Sequence, residues 1–333
     1  MSLGVALQRF FKDNMNNPAL HVVSGQVLEE EATALPQSEP RTRLAKVIEG
    51  TSLEQKSLAS IPESGFSYFL DGIQRSRVVG YWTGIPLVFG FVAGCIRRRC
   101  GERLMHKHDC HTREALFFPF LQVPETQFKQ AGIACADVPI KDSIAMENRD
   151  HPMVVTQAAK DAIDKAREKI ETTLIEDWRA SAGADDWLLV DGSLSGFYEK
   201  GCHERVVGVI KSHQTRYFEG EEFRRVMALP AEQRTTVFQP QRGNRRPVYS
   251  WYLRLRSMPG QDPQFGLIRI EAAPVDGMIE MSDSISSWIL AERVPVSLPD
   301  GRWDRMIYPI RDCEQYLRSL APSPVEMQAR LFM

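Results

Sequence analysis

The stretch that most constrains this chain is Trp187-Leu188-Leu189-Val190-Asp191-Gly192-Ser193-Leu194. Four apolar residues followed by Asp-Gly-Ser read as a buried strand that stops where the backbone needs glycine freedom. A carboxylate at such a strand end sits at the mouth of a sheet, where open α/β sheets keep their ligands. Tyr68-Phe69-Leu70-Asp71-Gly72 repeats the form earlier in the chain. An Asp-Gly pair is also ordinary turn chemistry, so neither aspartate alone carries an argument.

The clearest element lies between them. Val155, Ala159, Ala162, Ile163, Ala166, Ile170, Leu174 and Trp178 recur every three or four residues and predict one long helix. Thr156 is its candidate N-cap, and Gly183 lies just past its end. Asp177 falls on the apolar stripe, as a metal ligand or as a fraying residue of the last turn.

With 333 residues the chain can build a large core. Its net charge of −2 does not advertise a polyanionic partner, but the distribution is uneven. Arg205 to Arg256 holds eleven Lys or Arg against four Glu, a local +7 that leaves the remainder at −9. A basic segment of this kind could steer nucleic acid, and a solvated strand face is the rival reading. The six cysteines, Cys95, Cys100, Cys110, Cys135, Cys202 and Cys313, are too scattered for a disulfide scaffold and indicate a reduced, cytoplasmic protein. The first residues lack the zones of a signal peptide. Gly80 to Cys95 is apolar, yet it contains Pro86 and four glycines and is shorter than the ~20 residues of a spanning helix. No membrane association is expected.

Residues 1–60 read as an arm for packing on the main domain, a second subunit or a partner. It holds an amphipathic piece (Val5, Leu7, Phe10, Phe11) and a second helical candidate, Arg41 to Gly50. From Gly65 the pattern turns to strands: Ser67 to Asp71, Arg77 to Trp82 and Leu87 to Cys95, with consecutive antiparallel pairing. Residues 100–150 read as an insertion. Cys100, His106, His108, Cys110 and His111 invite a zinc hypothesis but match no standard ligand spacing. Leu116 to Val123 is a candidate edge strand because of Pro119. Val206 to Ser212 is a buried strand ending at Lys211. Val248 to Arg256 alternates apolar and polar residues, and Tyr249, Trp251 and Tyr252 are either base-stacking platforms or core. Phe265 to Ala272 carries Arg269 and Glu271 on one face, as a structural ion pair. The tail from Met278 is helical, interrupted by Pro295, Pro299 and Pro309.

A strand with Asp, antiparallel strands, a long helix and a further strand ending in Asp follow the order of a ribonuclease H-like mixed α/β sheet flanked by helices. On Phe69-Leu70-Asp71-Gly72, Leu188 to Leu194 and Val206 to Ser212, the sequence resembles the NurA family of DNA-end-processing nucleases. The resemblance implies a nuclease domain over about 61–325, Mn2+- or Mg2+-dependent cleavage of DNA, a homodimer, and a HerA-type hexameric ATPase partner in DNA repair or anti-phage defence. It implies Asp71 and Asp191 as metal ligands and Lys211 as a catalytic contact to phosphate or developing charge. Glu147, Glu171 and Asp177 are candidates for the third acidic ligand, of which Asp177 is taken. Arg75, Arg216, Arg242, Arg245 and Arg246 are candidate phosphate contacts. The chain departs from the family at Ile73, where Ser is usual. It departs again after Tyr308-Pro309, where a His is expected and Asp312 or Glu314 are the available substitutes. These departures leave open a weakened member that binds DNA as a scaffold subunit.

Overall fold

The computed structural model describes residues 3–22, 41–59, 63–101, 104–194, 204–212, 215–241, 247–257, 260–293 and 303–323. Helix α1 (Leu3–Asp13) opens the chain, followed by short strands β1 (Leu20–Val22), β2 (Arg41–Thr42), β3 (Ala45–Val47) and β4 (Gln55–Ser57). The apolar stripe of α1 is buried at Leu3, Leu7, Phe10 and Phe11, and Phe10 packs on Phe128 at 4.6 Å between centroids. This part of the arm therefore docks on the main domain.

The helix expected over Arg41 to Gly50 is instead strand. Leu44 is exposed, while Ala45 and Val47 pack on a buried cluster containing Phe238. Four apolar residues in ten, Leu44, Ala45, Val47 and Ile48, suit either period, and pairing to a sheet edge decides between them.

Three long strands form the spine: β5 (Tyr68–Trp82), β6 (Ile85–Cys100) and β7 (Leu104–Phe118). Thr83-Gly84 connects the first two, and both ladders are antiparallel. The two runs expected at Ser67 to Asp71 and Arg77 to Trp82 are one strand, so Asp71 lies near the start of β5 rather than at a strand end. The polar interval Gln74-Arg75-Ser76 stays extended because β6 pairs with it throughout. The apolar run from Gly80 is likewise a hairpin, and among the described residues no helix is long and apolar enough to cross a membrane.

Residues 104–118 are the third strand of the spine, not part of an insertion. Their polar first half carries no strand-like alternation of apolar residues, and partnership with β6 extends it. Pro119 lies just past β7. Helix α2 (Glu125–Gln130) then leads to β8 (Cys135–Asp137), the true edge strand on this side.

Helix α3 (Pro152–Ser181) follows. It begins a turn earlier than Thr156: the side chain of His151 accepts from the Met153 amide, and Pro152 occupies the first turn, where no amide donor is needed. Strands β9 (Leu188–Asp191) and β10 (Val206–Ile210) come next, as expected. β9 pairs parallel with β5, and β10 pairs parallel with β9.

After β11 (Thr215–Arg216), α4 (Gly220–Met227), β12 (Gln233–Thr235) and β13 (Phe238–Pro240), the sheet is completed by β14 (Tyr249–Arg254) and β15 (Leu267–Ala272). The path runs β3-β13-β14-β15-β10-β9-β5-β6-β7-β8, with β1, β4 and β12 attached beside it. Helices α5 (Met278–Glu292) and α6 (Tyr308–Leu320) end the described chain, and Pro309 starts α6 rather than interrupting it.

Alternation along the strands separates two cores. Phe69, Phe91, Ala93 and Cys95 join one with Ile285, Ile289 and Leu317 of α5 and α6. On the opposite face, Leu70 and Ile96 pack with Leu174 and Trp178 of α3, and Val88 and Val92 pack with Ile163. The fold is thus a mixed sheet with helices on both faces.

The expected half-exposed alternation of β14 is absent. Ser250 to Arg254 are all buried, and Trp251 donates its Nε1 hydrogen to Ser286 Oγ at 2.8 Å. Trp251 and Tyr252 are core residues, because β15, β12 and β13 place this strand inside the sheet.

The basic segment is also spent partly inside. Arg254 donates to the carbonyls of Met227, Leu229, Pro263 and Phe265. Arg234 is 1% exposed and binds Glu49 (2.7 Å) and Asp283 (2.5 Å), tying the edge strands to α5. Burial alone would raise the Glu49 carboxyl, but hydrogen bonds from Arg234 and Lys56 hold it down at about 2. Glu49 therefore contributes stability above its ordinary value of 4.5, and that contribution is lost as pH falls toward 2. Arg234→Leu should cost about 3 kcal/mol in denaturant unfolding at pH 7, by removing both guanidinium hydrogen bonds to the largely buried Glu49. The gap from wild type should narrow between pH 4.5 and 2.

Candidate active site

Strand pairing brings the two aspartates together. Leu70 lies opposite Val190 in the parallel β5–β9 ladder. Asp71 and Asp191 are the next positions on each strand, at a strand spacing of about 4.8 Å. Their side chains leave the face covered by α6, as Phe69 and Leu189 do. Asp191 is the last residue of β9, and the strand ends there because Gly192 takes a φ of 129°, which side-chain-bearing residues avoid.

Parallel pairing of β10 sets Val209 opposite Asp191, so that Lys211 follows just beyond. Its ammonium donates to Asp191 Oδ2 at 3.0 Å. Both side chains remain about a quarter exposed, at 24% and 27%, so this pair faces a solvent-accessible mouth. Asp71 is deeper, 7% exposed.

Asp71-Gly72 is not a turn, since both residues continue in the β5 ladder. Glycine is required at 72 for a different reason. A Cβ there would lie 2.0 Å from Glu171 Oε1, which lies over the backbone from α3 on the opposite face. Glu171 is 3% exposed and pairs with Arg167 one turn earlier. Burial pushes its carboxyl up to about 7 against the pull of Arg167, with Glu168 and Asp191 adding repulsion.

Asp71 is pushed well above the usual carboxylate range. Burial is the main cause, and the Asp191 charge follows; Lys211 opposes the rise, and Glu314 and Glu171 add to it. Glu314 comes from α6 and is itself held by Arg318 at 2.6 Å. Three carboxylates and one ammonium, drawn from β9, α3, α6 and the end of β10, thus bear on the charge of Asp71.

Of the three candidates for a further acid, Glu171 comes up to Gly72 from the α3 side, across the sheet from the two aspartate side chains. Glu147 is exposed on a short 3-10 turn at Met146–Asn148. Asp177 is on the exposed side of α3, beside Asp109 and His111. The signal for Glu171 was present in the sequence: residues 163, 167, 171, 174 and 178 follow helical spacing through the buried stripe. Asp312 instead binds Arg97 at 2.8 Å.

Glu271 has no exposure, and its ion pair with Arg269 (2.5 Å) is present as expected. Its other oxygen accepts from Ser193 Oγ at 2.8 Å and from the Leu194 amide at 3.0 Å. It thereby fixes the turn that follows Asp191.

The expected phosphate contacts are dispersed. Arg75 donates to the Pro322 carbonyl at 2.6 Å. Arg216 donates to the Phe218 carbonyl at 2.8 Å and stacks over Phe223 at 4.0 Å. Arg242, Arg245 and Arg246 lie outside the described residues. In the expected zinc cluster, Cys100 ends β6, whereas His106, His108, Cys110 and His111 are strung along β7. The His108 ring packs against Tyr68, and burial raises the Cys110 thiol to about 11.

Comparison of the chain with protein-family models and with curated proteins finds no match.

Gly72→Ala should destabilise the protein by about 1–3 kcal/mol, the usual cost of overpacking. Most of that cost should vanish in a Glu171→Ala background, as read from a double-mutant cycle by denaturant unfolding.

Proposed function

We propose that this chain is a Mn2+- or Mg2+-dependent deoxyribonuclease with a ribonuclease H-like core, working as a homodimer with a HerA-type hexameric ATPase. The strand order β7-β6-β5-β9-β10 supports the core assignment: three antiparallel strands, then two parallel ones, with α3 between the third and fourth in sequence. The observation that carries the functional reading is the placement of Asp71 beside Asp191 on adjacent parallel strands, with the Lys211 ammonium on Asp191.

Such a donor set fits a hard divalent cation, because it consists of carboxylate oxygens. Asp71 and Asp191 would hold it, and Glu314 of α6 is the further acid on the same side of the sheet. When bound, the cation would activate a water and stabilise the leaving oxygen in phosphodiester hydrolysis. Lys211 anchors Asp191 and presents an ammonium to phosphate at the open side of the site. Arg167 orients Glu171, and Glu271 holds the turn after Asp191 in place.

A second reading has its own observation. Lys211 and Arg167 already pair with two of the four acids, so the site is partly neutralised from within. This arrangement suits a scaffold subunit that binds DNA and has lost the chemistry.

A nuclease assay on single- and double-stranded DNA with manganese, magnesium or chelator separates the two. The nuclease reading expects metal-dependent cleavage that falls to background in Asp191→Ala and Asp71→Asn, with the fold retained by circular dichroism. Salt-sensitive binding without cleavage in any divalent metal would establish the scaffold reading instead.

The raised carboxyls make a further test. Glu171 is uncharged in the fold up to about pH 7 but ionises near 4.5 when unfolded, so in chelator its contribution to stability falls as pH rises through that window. Manganese, which must displace the proton that burial favours on Asp71, should raise the melting temperature more at pH 8 than at pH 5, as measured by thermal unfolding.

A further inference from the structure

We infer that Asp109, His111 and Asp177 form a second metal site, separate from the carboxylate centre and suited to a borderline divalent ion such as zinc. One ligand atom from each of the three lies within 4.8 Å of the others. His111 Nε2 stands 3.5 Å from Asp109 Oδ2, and Asp177 approaches from the last turns of α3. An ion bonded at roughly 2.0–2.2 Å to nitrogen and carboxylate oxygen requires donors about 3–4 Å apart, a spacing that His111 Nε2 and Asp109 Oδ2 already have at 3.5 Å.

Strand register explains the convergence. His111 lies opposite Gly94 and Asp109 opposite Ile96, and both of those positions face α3. The Asp109 side chain is set in advance, since its Oδ1 accepts from the Cys110 amide at 2.7 Å and leaves Oδ2 toward the imidazole.

Charge supplies an independent reason. Two carboxylates stand together, and among the described residues neither has a Lys or Arg within ion-pair distance. Elsewhere on α3, Asp161 pairs with Lys141 and Glu171 with Arg167. A cation is what this cluster lacks, and an imidazole beside two carboxylates selects a nitrogen-tolerant ion over magnesium. Three protein ligands leave a position for water, and the side chains of Asp109 and His111 are 39% and 40% exposed, so the ion has an entry path.

The two centres are distinct. Asp177 is six residues beyond Glu171, about 9 Å along the helix. β7 lies two strands away from β5, about 10 Å across the sheet. A bound ion would clamp the outer spine strand to the end of α3, which makes its role structural.

The test is calorimetric titration of zinc chloride into the chelator-treated full-length protein. The panel is wild type, Asp191→Asn, His111→Ala and Asp177→Asn, with circular dichroism confirming the fold of each. Wild type and Asp191→Asn should share one class of zinc site, weakened about tenfold or more in both His111→Ala and Asp177→Asn. Zinc should also raise the melting temperature of Asp191→Asn but not of His111→Ala. The inference is overturned if wild type binds no zinc, if both cluster variants bind it unchanged, or if only Asp191→Asn loses it. Because Asp191→Asn empties the other centre, these outcomes stand apart from success or failure of the nuclease assay.

Discussion

The parallel pairing of β9 with β5 is the constraint on which the rest depends. Only three residue pairs make this contact, yet it joins the antiparallel spine to the parallel strands and brings Asp71 beside Asp191. A two-residue shift would carry Asp191 about 7 Å along its neighbour, beyond the reach of a shared cation. The pairing is secured from both faces, where Leu189 packs toward α5 and α6 and Leu188 and Val190 pack toward α3. The acids thus owe their closeness to apolar burial, which also raises the cost of their charges.

Repulsion among the acids is opposed in an uneven way. Lys211 sits at the open side and Arg167 at the buried side, whereas Asp71 between them receives only a share of the Lys211 field. Its Oδ1 accepts from the Gly72 amide at 2.8 Å, the same residue whose missing side chain admits Glu171. One glycine thereby serves two neighbours, by its amide on one side and by its empty space on the other.

The arginines of the basic segment illustrate the limit of counting charge. Arg234 and Arg254 count toward the positive charge of the segment, but they hold carboxylates and carbonyls inside the protein. A guanidinium offers five donors in a fixed fork, so it can stitch loops together where lysine cannot. Arg75 and Arg216 are also engaged with backbone carbonyls. Net charge along a sequence carries no record of which cations have been drawn inward.

The sequence by itself determined the local elements with strong patterns: the long helix, the buried strands ending at Asp191 and Lys211, and the amphipathic α1. Their signals are periodic or abrupt, and neighbouring residues suffice to read them. It also marked Asp71 and Asp191 as a pair, although it took Asp71-Gly72 for a strand end. Tertiary structure alone decided that β5 runs on through its polar middle, that residues 41–47 are strand, and that β7 belongs to the spine. In each case a partner strand supplies the hydrogen bonds that intrinsic preference leaves open. It also decided where two acids of one helix go. Glu171 and Asp177 lie on the same helix, and the open space over Gly72, contributed from far away in sequence, admits the first and leaves the second beside His111.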